Sequence, residues 1–265
     1  MSGAASAPLD HVYVVPAFGD SPHLEACLAS LASQQRASPV VVSASVPGRR
    51  LTEVAKHYGA RCVVHGPNRG IGHDWNAAVD AAGADWVTIA HQDDVYLPEF
   101  GARVAAAVRK APNALLVSTG YAELRGTQVR RHSLLLEIKR LLLAFGYLGR
   151  DEIAHTSAKR RLLRFGCSIA CPTVTFSRTR TRLRFDEHMH TNLDWEAWTR
   201  VAELDGSFVH LPQILMLHRV HPDSETSAGL LSGARASEDL EMFTRFWPLP
   251  IARLIAHLYA LSYHN

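Results

Sequence analysis

Cysteine is scarce in this chain, and its four cysteines show no paired spacing of the kind that zinc sites use. Cys167 and Cys171 stand four residues apart in "GCSIACP", whereas Cys27 and Cys62 stand alone. Unpaired cysteines are typical of reducing compartments, where disulfides do not persist. We therefore expect four buried free thiols and no disulfide framework.

Long hydrophobic runs are also missing. No stretch reaches the roughly 18–20 consecutive apolar residues that a membrane-spanning helix needs. The first ten residues lack the basic-then-apolar pattern of a secretory signal, and no internal repeat or low-complexity segment is visible. We expect a cytoplasmic protein, with a peripheral position on the inner face of the membrane as the second option.

A strong net charge is absent, but the charge that is present is unevenly distributed. The net charge is +3, whereas residues 125–164 carry ten Arg or Lys and three Asp or Glu, which is +7 and leaves −4 elsewhere. A positive charge confined to one short segment does not indicate a nucleic-acid-binding protein. The segment Arg130–Arg164 is either an amphipathic helix packed on a sheet with its basic face in solvent, or a surface that meets anionic lipid. Its narrow polar stripe, formed by Glu137, Arg140 and Ala144, favours packing on both sides.

The first half of the chain alternates strand patterns with helix patterns. The runs "HVYVVPAFG", "PVVVSAS", "RCVVHG", "DWVTIAHQDD" and "NALLVSTGYAEL" predict five strands, the first ending at Pro16. Between the first two, the spacing of Leu24, Cys27, Leu28 and Leu31 predicts a helix. This alternation predicts an α/β fold with a mixed, mostly parallel sheet and helices on both faces.

The loops that follow these strands are the predicted binding region. In open α/β sheets, ligands bind in the crevice outside the carboxyl ends of the strands. The loops at Ala17, Ser45, Asn68 and Asp93 should therefore share one crevice.

After Leu124 the pattern changes. "SLLLEIKRLLLAFGYL" is helical, "GCSIACPTVTFS" is strand-rich, and "NLDWEAWTRVAELDG" is a helix that ends at a glycine. The tail from about Ser232 is predicted to be helical, with a break at "WPLP".

Two adjacent carboxylates, Asp93 and Asp94, follow the fourth predicted strand. Like charges this close raise each other's pKa unless something positive lies between them. The pair is either part of an ordinary solvated loop or a site for a hard divalent cation, which prefers oxygen ligands.

Three segments together resemble a known family: "VVPAFGDSPHLEACLASLASQ", "NRGIGHDWNAAVDAAGADWVTIAHQDDVYLP" and "TNLDWEAW". In order and spacing they resemble the family 2 glycosyltransferases, which are inverting enzymes with the GT-A (Rossmann-like) fold. The resemblance covers roughly residues 11–222. It implies transfer of a sugar from a nucleoside-diphosphate-sugar to an acceptor hydroxyl, with a carboxylate base and a divalent cation, Mn²⁺ or Mg²⁺.

The resemblance also implies a division of the chain. Residues 1–10 form an N-terminal tail, 11–230 the GT-A catalytic domain, and 231–265 a helical C-terminal tail. Within the domain, 11–124 is the nucleotide-sugar half, and 125–230 is the acceptor half with a basic helical insertion.

On the donor side, the resemblance places Pro16, Ala17 and Phe18 against the nucleotide, in a turn where the family usually has an asparagine at the position of Gly19. Ser45 ends a strand that usually carries base-reading aspartates. The nucleotide base is therefore open, with UDP slightly favoured.

The segment "NRGIGHDWN" matches the family's region beside the sugar. The resemblance gives donor-binding roles to Asn68, Arg69, Gly70, Asp74 and Asn76. A helix N-terminus favours an anion, and an arginine pairs with phosphate. The alternative for Asp74 is simple stabilisation of the helix start.

The segment "HQDD" matches the family's metal motif. Asp93 is the expected principal ligand, Asp94 a ligand that also faces the diphosphate or sugar, and His91 takes the first acidic position. Gln92 is a donor-binding candidate. From "LHRVHPDSET", the resemblance adds a histidine, His218 or His221, that completes the cation site or touches the diphosphate, with His218 taken as the metal candidate.

Arg219, in the same segment, is a phosphate-binding candidate. Ordinary surface histidines remain the alternative for this stretch.

The segment "NLDWEAW" matches the family's base motif, with Leu193 in place of a glutamate. Asp194 is the expected general base and Glu196 its reserve. The alternative is a helix cap, because Asn192 and Asp194 are good capping residues.

These residues predict an inverting, metal-dependent glycosyltransferase of polysaccharide or glycoconjugate biosynthesis. Its partners would be a nucleotide-sugar donor and a glycan or lipid-linked acceptor, with no nucleic acid and with membrane contact through 130–164 as an option. A nucleotidyltransferase is disfavoured because "PAFGDSPHLEA" has no lysine or arginine. The alternative is an inactive relative that only binds a nucleotide-sugar or glycan.

Overall fold

The computed structural model describes residues 9–221 and 234–261, and they are built around one ten-stranded mixed sheet. The path through the sheet is β3-β2-β1-β4-β9-β6-β10-β5, with β7 paired to β6 and β8 paired to β10. The strands are β1 (His11–Ala17), β2 (Val40–Ala44), β3 (Arg61–Val64), β4 (Trp86–Ile89), β5 (Val95–Tyr96), β6 (Ala114–Arg125), β7 (Gln128–Arg130), β8 (Glu152–Ile153), β9 (Val174–Ser177) and β10 (Ser207–Arg219).

Ten α-helices lie in the described ranges. They are α1 (Leu24–Ala32), α2 (Arg49–His57), α3 (Ile71–Asp80), α4 (Phe100–Lys110), α5 (Leu134–Tyr147), α6 (Thr156–Leu163), α7 (Arg178–Thr181), α8 (Leu193–Val201), α9 (Ala234–Thr244) and α10 (Leu249–Leu261). A 3₁₀ turn at Cys171–Thr173 precedes β9. The predicted α/β class with a mostly parallel sheet is confirmed, although β1 continues one residue beyond Pro16.

Parallel pairing gives four strands a common direction. β3, β2, β1 and β4 are parallel neighbours, and β9 then runs antiparallel between β4 and β6. Because parallel strands end at the same edge of a sheet, the segments after β1, β2, β3 and β4 meet there. This edge is where open α/β sheets bind their ligands.

Both faces of the sheet are covered, and β1 shows why. Val12 and Val14 belong to one hydrophobic core, and Tyr13 and Val15 to the other, because successive strand side chains point to opposite faces. A strand buried on both sides must be apolar at every position, which explains its continuous hydrophobic run.

The C-terminal helices pack against the start of α8. Glu238 on α9 accepts hydrogen bonds from the backbone N–H groups of His190, Thr191 and Asn192, at 2.7–2.9 Å. The rings of Trp195 and Phe243 are 4.9 Å apart. The division into a domain and a tail stays a prediction, as do the boundaries given above.

Two expectations from the sequence need correction. Cys27 and Cys171 are buried, but Cys62 and Cys167 are only partly buried, although all four are free. Helix α5 does not pack on both sides, because Leu141 on its outer face is 70% exposed. A narrow polar stripe therefore does not imply a buried helix here.

Within the described ranges, no helix combines the length and the apolar character that crossing a membrane would take.

Candidate functional site

Hydrogen bonds hold together the loops that line the crevice at the carboxyl ends of the strands. The backbone N–H of Phe18 donates to Oε1 of Gln92 at 3.2 Å, and the Cys27 thiol donates to the carbonyl of His91 at 3.3 Å. The Phe18 ring itself is exposed. The loops after β1 and β4 are thus held together, as the sequence predicts.

Asp93 lies in this crevice with part of its side chain in solvent. Its Oδ2 is 2.8 Å from Nε2 of His221. Burial alone would raise the pKa of Asp93, but the neighbouring His91 and the hydrogen bond from His221 lower that pKa below its ordinary value. The carboxylate is therefore held in its charged, ligand-competent form.

Asp94 is fully buried, and it joins the β4–β5 loop to the last core strand. Its Oδ1 accepts hydrogen bonds from Nδ1 of His218 at 3.0 Å and from the backbone N–H of Arg219 at 2.9 Å. Nε of Arg219 donates to the Asp93 carbonyl at 2.8 Å. His218 and Arg219 are thus placed at the site predicted for them, but both are engaged with the aspartate loop.

His91 presents a nitrogen that fits a metal ligand. Its Nε2 is buried and has no hydrogen-bond partner, and its ring lies 5.1 Å from that of Trp75. Ligand atoms of His91, Asp93 and Asp94 all lie within 4.8 Å of one another. Ligands about 2.1 Å from one cation are up to about 4.2 Å apart, so small side-chain rotations suffice. One imidazole and two carboxylates suit Mn²⁺ or Mg²⁺.

A second group of polar atoms lies at the ends of β2 and β3. Ser45 Oγ, both ring nitrogens of His65 and Oδ1 of Asp74 are buried without a hydrogen-bond partner. His65 Nε2 is 3.8 Å from Asp74 Oδ1. Burial lowers the pKa of His65 and raises that of Asp74. Buried polar atoms normally have partners, so these atoms are suited to a polar ligand.

The turn into α3 is shaped by Asn68 and Gly70. Asn68 Oδ1 accepts the Gly70 N–H at 2.8 Å, and Gly70 has φ 105°, a left-handed value that favours glycine. The Arg69 guanidinium lies 2.7 Å from His73 Nδ1 and 3.7 Å from Glu187. This turn borders the crevice, as the sequence predicts.

Asn76 and the end of β1 are held by hydrogen bonds to other parts of the protein. Nδ2 of Asn76 donates to the Phe185 carbonyl at 3.0 Å, and its Oδ1 accepts the Phe185 N–H at 2.8 Å. Pro16 and Ala17 pair with Ser43 and Ala44 of β2. Asn76 therefore fixes the loop after α7, and its amide is not directed at a ligand.

Asp194 opens α8, and its side chain is only partly exposed. Its Oδ1 accepts the N–H of Trp195 at 2.7 Å. Burial raises the pKa of Asp194, and the positive charge of Lys139 opposes that effect. A carboxylate with a raised pKa is a better proton acceptor, provided that it is ionised at the working pH.

Glu196, the reserve base, is buried and already paired. Nε of Arg200 lies 2.9 Å from both carboxylate oxygens, and NH1 of Arg245 is 2.9 Å from Oε1. Both carboxylate oxygens are therefore already engaged by guanidinium groups of the protein itself. We give Glu196 a structural role.

Two residues that the sequence did not single out connect the two halves of the site. Lys139 Nζ donates to the Tyr121 hydroxyl at 2.9 Å, and the Tyr121 ring lies 6.0 Å from that of His218. Contacts therefore run from Asp94 through His218 and Tyr121 to Lys139, and the positive charge of Lys139 acts electrostatically on Asp194. Tyr121 lies inside β6 and Lys139 lies in a mostly apolar helix, so neither residue is marked by a local sequence pattern.

A cavity of ≈ 650 Å³ adjoins this connection, between the inner face of α5 and strands β6 and β10. Tyr121 and Lys139 belong to its wall. Thr119 Oγ1 and Ser168 Oγ, also in the wall, are buried without partners. The basic residues around it are Arg131, Lys139, Arg140 and Arg150, with His132 and His210.

Comparison with known proteins identifies the family. The sequence model described as "Glycosyl transferase family 2" matches residues 13–179. A comparison with curated protein sequences finds no match.

Solved structures agree in fold. S. aureus TarS 1-349 in complex with UDP-GlcNAc has TM-score 0.65 and 14% identity, covering 94% of this chain and 70% of that one. The longer S. aureus TarS has TM-score 0.62 and 14% identity, covering 93% and 42%. The mannosyltransferase PcManGT from Pyrobaculum calidifontis, in complex with GDP-Man and Mn²⁺, has TM-score 0.61 and 15% identity, covering 96% and 71%. These likenesses establish the GT-A fold.

Proposed function

The chain belongs to glycosyl transferase family 2 and is a glycosyltransferase, and on that basis we propose an inverting, metal-dependent transfer of a sugar from a nucleoside-diphosphate-sugar to an acceptor hydroxyl. One observation carries the proposal. The aspartate pair after β4 is linked by contacts through His218 and Tyr121 to Lys139, whose positive charge acts on the aspartate that opens α8.

On the donor side, the proposed ligands of the cation are His91, Asp93 and Asp94, whose ligand atoms cluster without a bound ion. When bound, a divalent cation neutralises the charge that develops on the departing diphosphate. The protein's own side chains hold the proposed ligands in position. His218 and Arg219 hold Asp94 in place, so the cluster keeps its shape before the donor arrives.

The nucleoside is proposed to lie beside Ser45, His65 and Asp74. Their buried, unpartnered atoms would gain hydrogen bonds there, which is the usual reason for such atoms to persist in a fold. Arg69 and the Gly70 turn lie at the N-terminus of α3, where an anion is favoured. The structural neighbours bind UDP-GlcNAc, UDP or GDP-Man, so the fold accepts more than one base.

Asp194 is the proposed base. The acceptor oxygen bonds to the anomeric carbon as the bond from that carbon to the phosphate oxygen breaks. The proton of the acceptor hydroxyl passes to the Asp194 carboxylate, and the diphosphate leaves with the electron pair. Attack opposite the leaving group inverts the configuration. The positive charge of Lys139 opposes the rise in the pKa of Asp194 that burial causes.

The acceptor is proposed to enter the cavity beside α5. Its wall includes Tyr121, whose ring lies 6.0 Å from that of His218, and Lys139, whose charge acts on Asp194, so a ligand there would lie near the proposed reaction centre. Its unpartnered Thr119 and Ser168 hydroxyls suit a hydroxylated acceptor, such as a glycan or the sugar of a lipid-linked glycan. An acceptor of this kind supports the proposal that the enzyme acts in polysaccharide or glycoconjugate biosynthesis.

An inactive donor-binding relative is the competing function. Ser45, His91 and Leu193 depart from the family's motifs and support an inactive relative. Retention of Asp93, Asp94 and Asp194 opposes this alternative. A measurement of turnover distinguishes an active glycosyltransferase from an inactive relative. The protein is incubated with a panel of nucleotide-sugars and Mn²⁺, and release of nucleoside diphosphate is measured with and without simple sugar acceptors.

Release from one donor, lost in Asp93→Ala, would support an enzyme. ¹H NMR of the product anomeric proton then tests inversion. A folded protein that binds a donor but releases no diphosphate under any condition would establish the inactive relative instead.

A further inference from the structure

Helix α5 carries an apolar stripe on its outer face. Leu134, Ile138, Leu141 and Phe145 follow one another at spacings of four, three and four residues, so they lie along one side of the helix, and Leu148 follows directly after its C-terminus. Leu141 is 70% exposed, and Leu134 and Leu148 are exposed nearly as fully. Such a stripe normally faces a core.

This stripe is not the face with which α5 packs on the protein. Leu136 and Tyr147 are the buried side chains of the opposite face, and Lys139 lies there beside the cavity. Leu162 of α6 lies against Gly146, where a Cβ would clash. The inner face thus has its partners, and the outer stripe is a second apolar surface on the same helix.

A neighbouring helix has the same property. On α10, Ile251, Leu254 and Leu258 are exposed, whereas Ile255 and Tyr259 pack on the core. Leu254 is 60% exposed. Large aliphatic residues of an amphipathic helix usually face the core, whereas this row lies on the outer side of α10 in the part of the chain that the structure describes.

One short segment contacts both helices. The Phe145 ring on α5 lies 6.0 Å from that of Phe165, and a Cβ on Gly166 would meet the ring of Tyr259 on α10. Phe165 also lies 5.3 Å from Trp247, which precedes α10. Because segment 165–166 contacts both helices, we treat their two exposed rows together as one candidate surface, called here the α5–α10 face.

The charge around the α5–α10 face is positive. Arg130, Arg131 and Arg150 are exposed at the two ends of α5, with Arg131 and Arg150 also in the wall of the cavity, and Arg253 is exposed on α10. The one acidic residue of α5, Glu137, is paired with Arg140 and His132. Apolar rows bordered by arginine are the pattern of helices that lie in the headgroup region of a bilayer.

We propose that the α5–α10 face docks on the surface of an anionic lipid bilayer, with its leucines below the headgroups and its arginines at the phosphates. Self-association is disfavoured by charge, because a second copy would bring a like-charged segment against this one, whereas anionic lipid is complementary. The inner side of α5 forms a wall of the cavity, so docking would hold that cavity at the membrane surface. The docking itself does not depend on glycosyl transfer.

The test is flotation of the purified full chain with vesicles of phosphatidylcholine, alone or mixed with phosphatidylglycerol. The double variant Leu141→Glu/Leu254→Glu removes one exposed leucine from each helix, without disturbing a packed side chain. Val64→Glu is the matched control, because Val64 is an exposed aliphatic residue on β3, at the far edge of the sheet, and is 60% exposed.

The wild type and Val64→Glu should float with the mixed vesicles at low salt and lose most of that binding at high salt. The double variant should bind at least about tenfold more weakly, because two apolar side chains no longer enter the bilayer. Near-ultraviolet circular dichroism identifies a misfolded variant, for which Leu141→Gln/Leu254→Gln is substituted.

Three results would overturn the proposal. The first is no binding to either vesicle, and the second is equal binding of the double variant and the wild type. The third is a dimer of the wild type, seen by sedimentation and dissolved by the same double substitution, which would assign the face to a second copy of the chain.

Discussion

His218 and Asp94 are joined across 124 residues of sequence, with Nδ1 of the histidine 3.0 Å from Oδ1 of a fully buried carboxylate. Burial disfavours the imidazolium, but the charge of Asp94 outweighs that effect and raises the pKa of His218. The contact fastens the loop that carries the proposed cation ligands to the last strand of the sheet. Stability and the geometry of the site therefore depend on the same pair.

Substitution of His218 by alanine should destabilise the fold. It leaves the buried Asp94 carboxylate with the Arg219 N–H as its remaining partner, and an unsatisfied buried acceptor costs about 1–3 kcal/mol. Urea unfolding measures the change. His132→Ala is the control, because it removes an exposed partner of Glu137 and should leave the midpoint unchanged. Equal midpoints for both variants would show that the Asp94–His218 contact contributes nothing.

Asp194→Asn should abolish transfer but not donor binding. The amide cannot accept a proton, and general-base catalysis typically contributes about 10²–10⁴-fold to the rate. The kcat for transfer should fall by that factor, while the Kd of the donor, measured by calorimetry, stays within about twofold of the wild type. Glu196→Gln serves as the comparison, and a larger loss there than in Asp194→Asn would move the base to Glu196.

Lys139→Met should shift the pH dependence of transfer. Asp194 accepts a proton only when it is ionised, so the rate falls on the acid side as pH drops through its pKa. Burial raises that pKa and Lys139 lowers it, so removing the ammonium raises it further. The acid limb of kcat against pH should move to higher pH, and Lys139→Arg should restore it. An unmoved limb, with only KM changed, would confine Lys139 to acceptor binding.

Glu238→Gln should destabilise the fold in a pH-dependent way. Burial opposes its charge, but hydrogen bonds from the N–H groups of His190, Thr191 and Asn192 prevail and lower its pKa below 4.5. A depressed pKa stabilises the fold fully above the unfolded value of 4.5, and that contribution is lost as pH falls through the lower folded value. The difference in unfolding free energy from the wild type, about 1–2 kcal/mol at neutral pH, should shrink below pH 4.5.

Glu241→Gln is the control for this substitution, since Glu241 is exposed and, within the described residues, its side chain forms one ion pair, with Arg245. A constant difference between Glu238→Gln and the wild type across the pH range would exclude an ionised, hydrogen-bonded Glu238.

Local pattern predicted the elements that depend on local spacing. The strands before Ala17 and Asp93, and the glycine turn at Gly70, follow from apolar runs and the turn residues that end them. The position of the crevice could therefore be predicted from the sequence without any contact information. A mostly parallel sheet then brings the loops together by topology alone.

Contacts between distant residues could not be predicted in this way. Asn76 bonds to Phe185, 109 residues away, and Glu196 is held by Arg245, 49 residues away, so both lost the roles that their motifs suggested. The position of Lys139 beside Asp194 depends on how α5 rotates about its axis. Two apolar faces on that helix leave the rotation undetermined by pattern.

The most direct test of the proposed function is a thermal-shift titration of the full chain with a nucleotide-sugar panel, with and without Mn²⁺, alongside Asp93→Ala. A ligand at 100 times its Kd stabilises the native state by roughly 2.7 kcal/mol. We predict a rise in Tm with one donor that requires Mn²⁺ and is absent in the variant. A donor-induced rise of equal size without Mn²⁺, or one retained by Asp93→Ala, would contradict a cation held by Asp93 at the donor site.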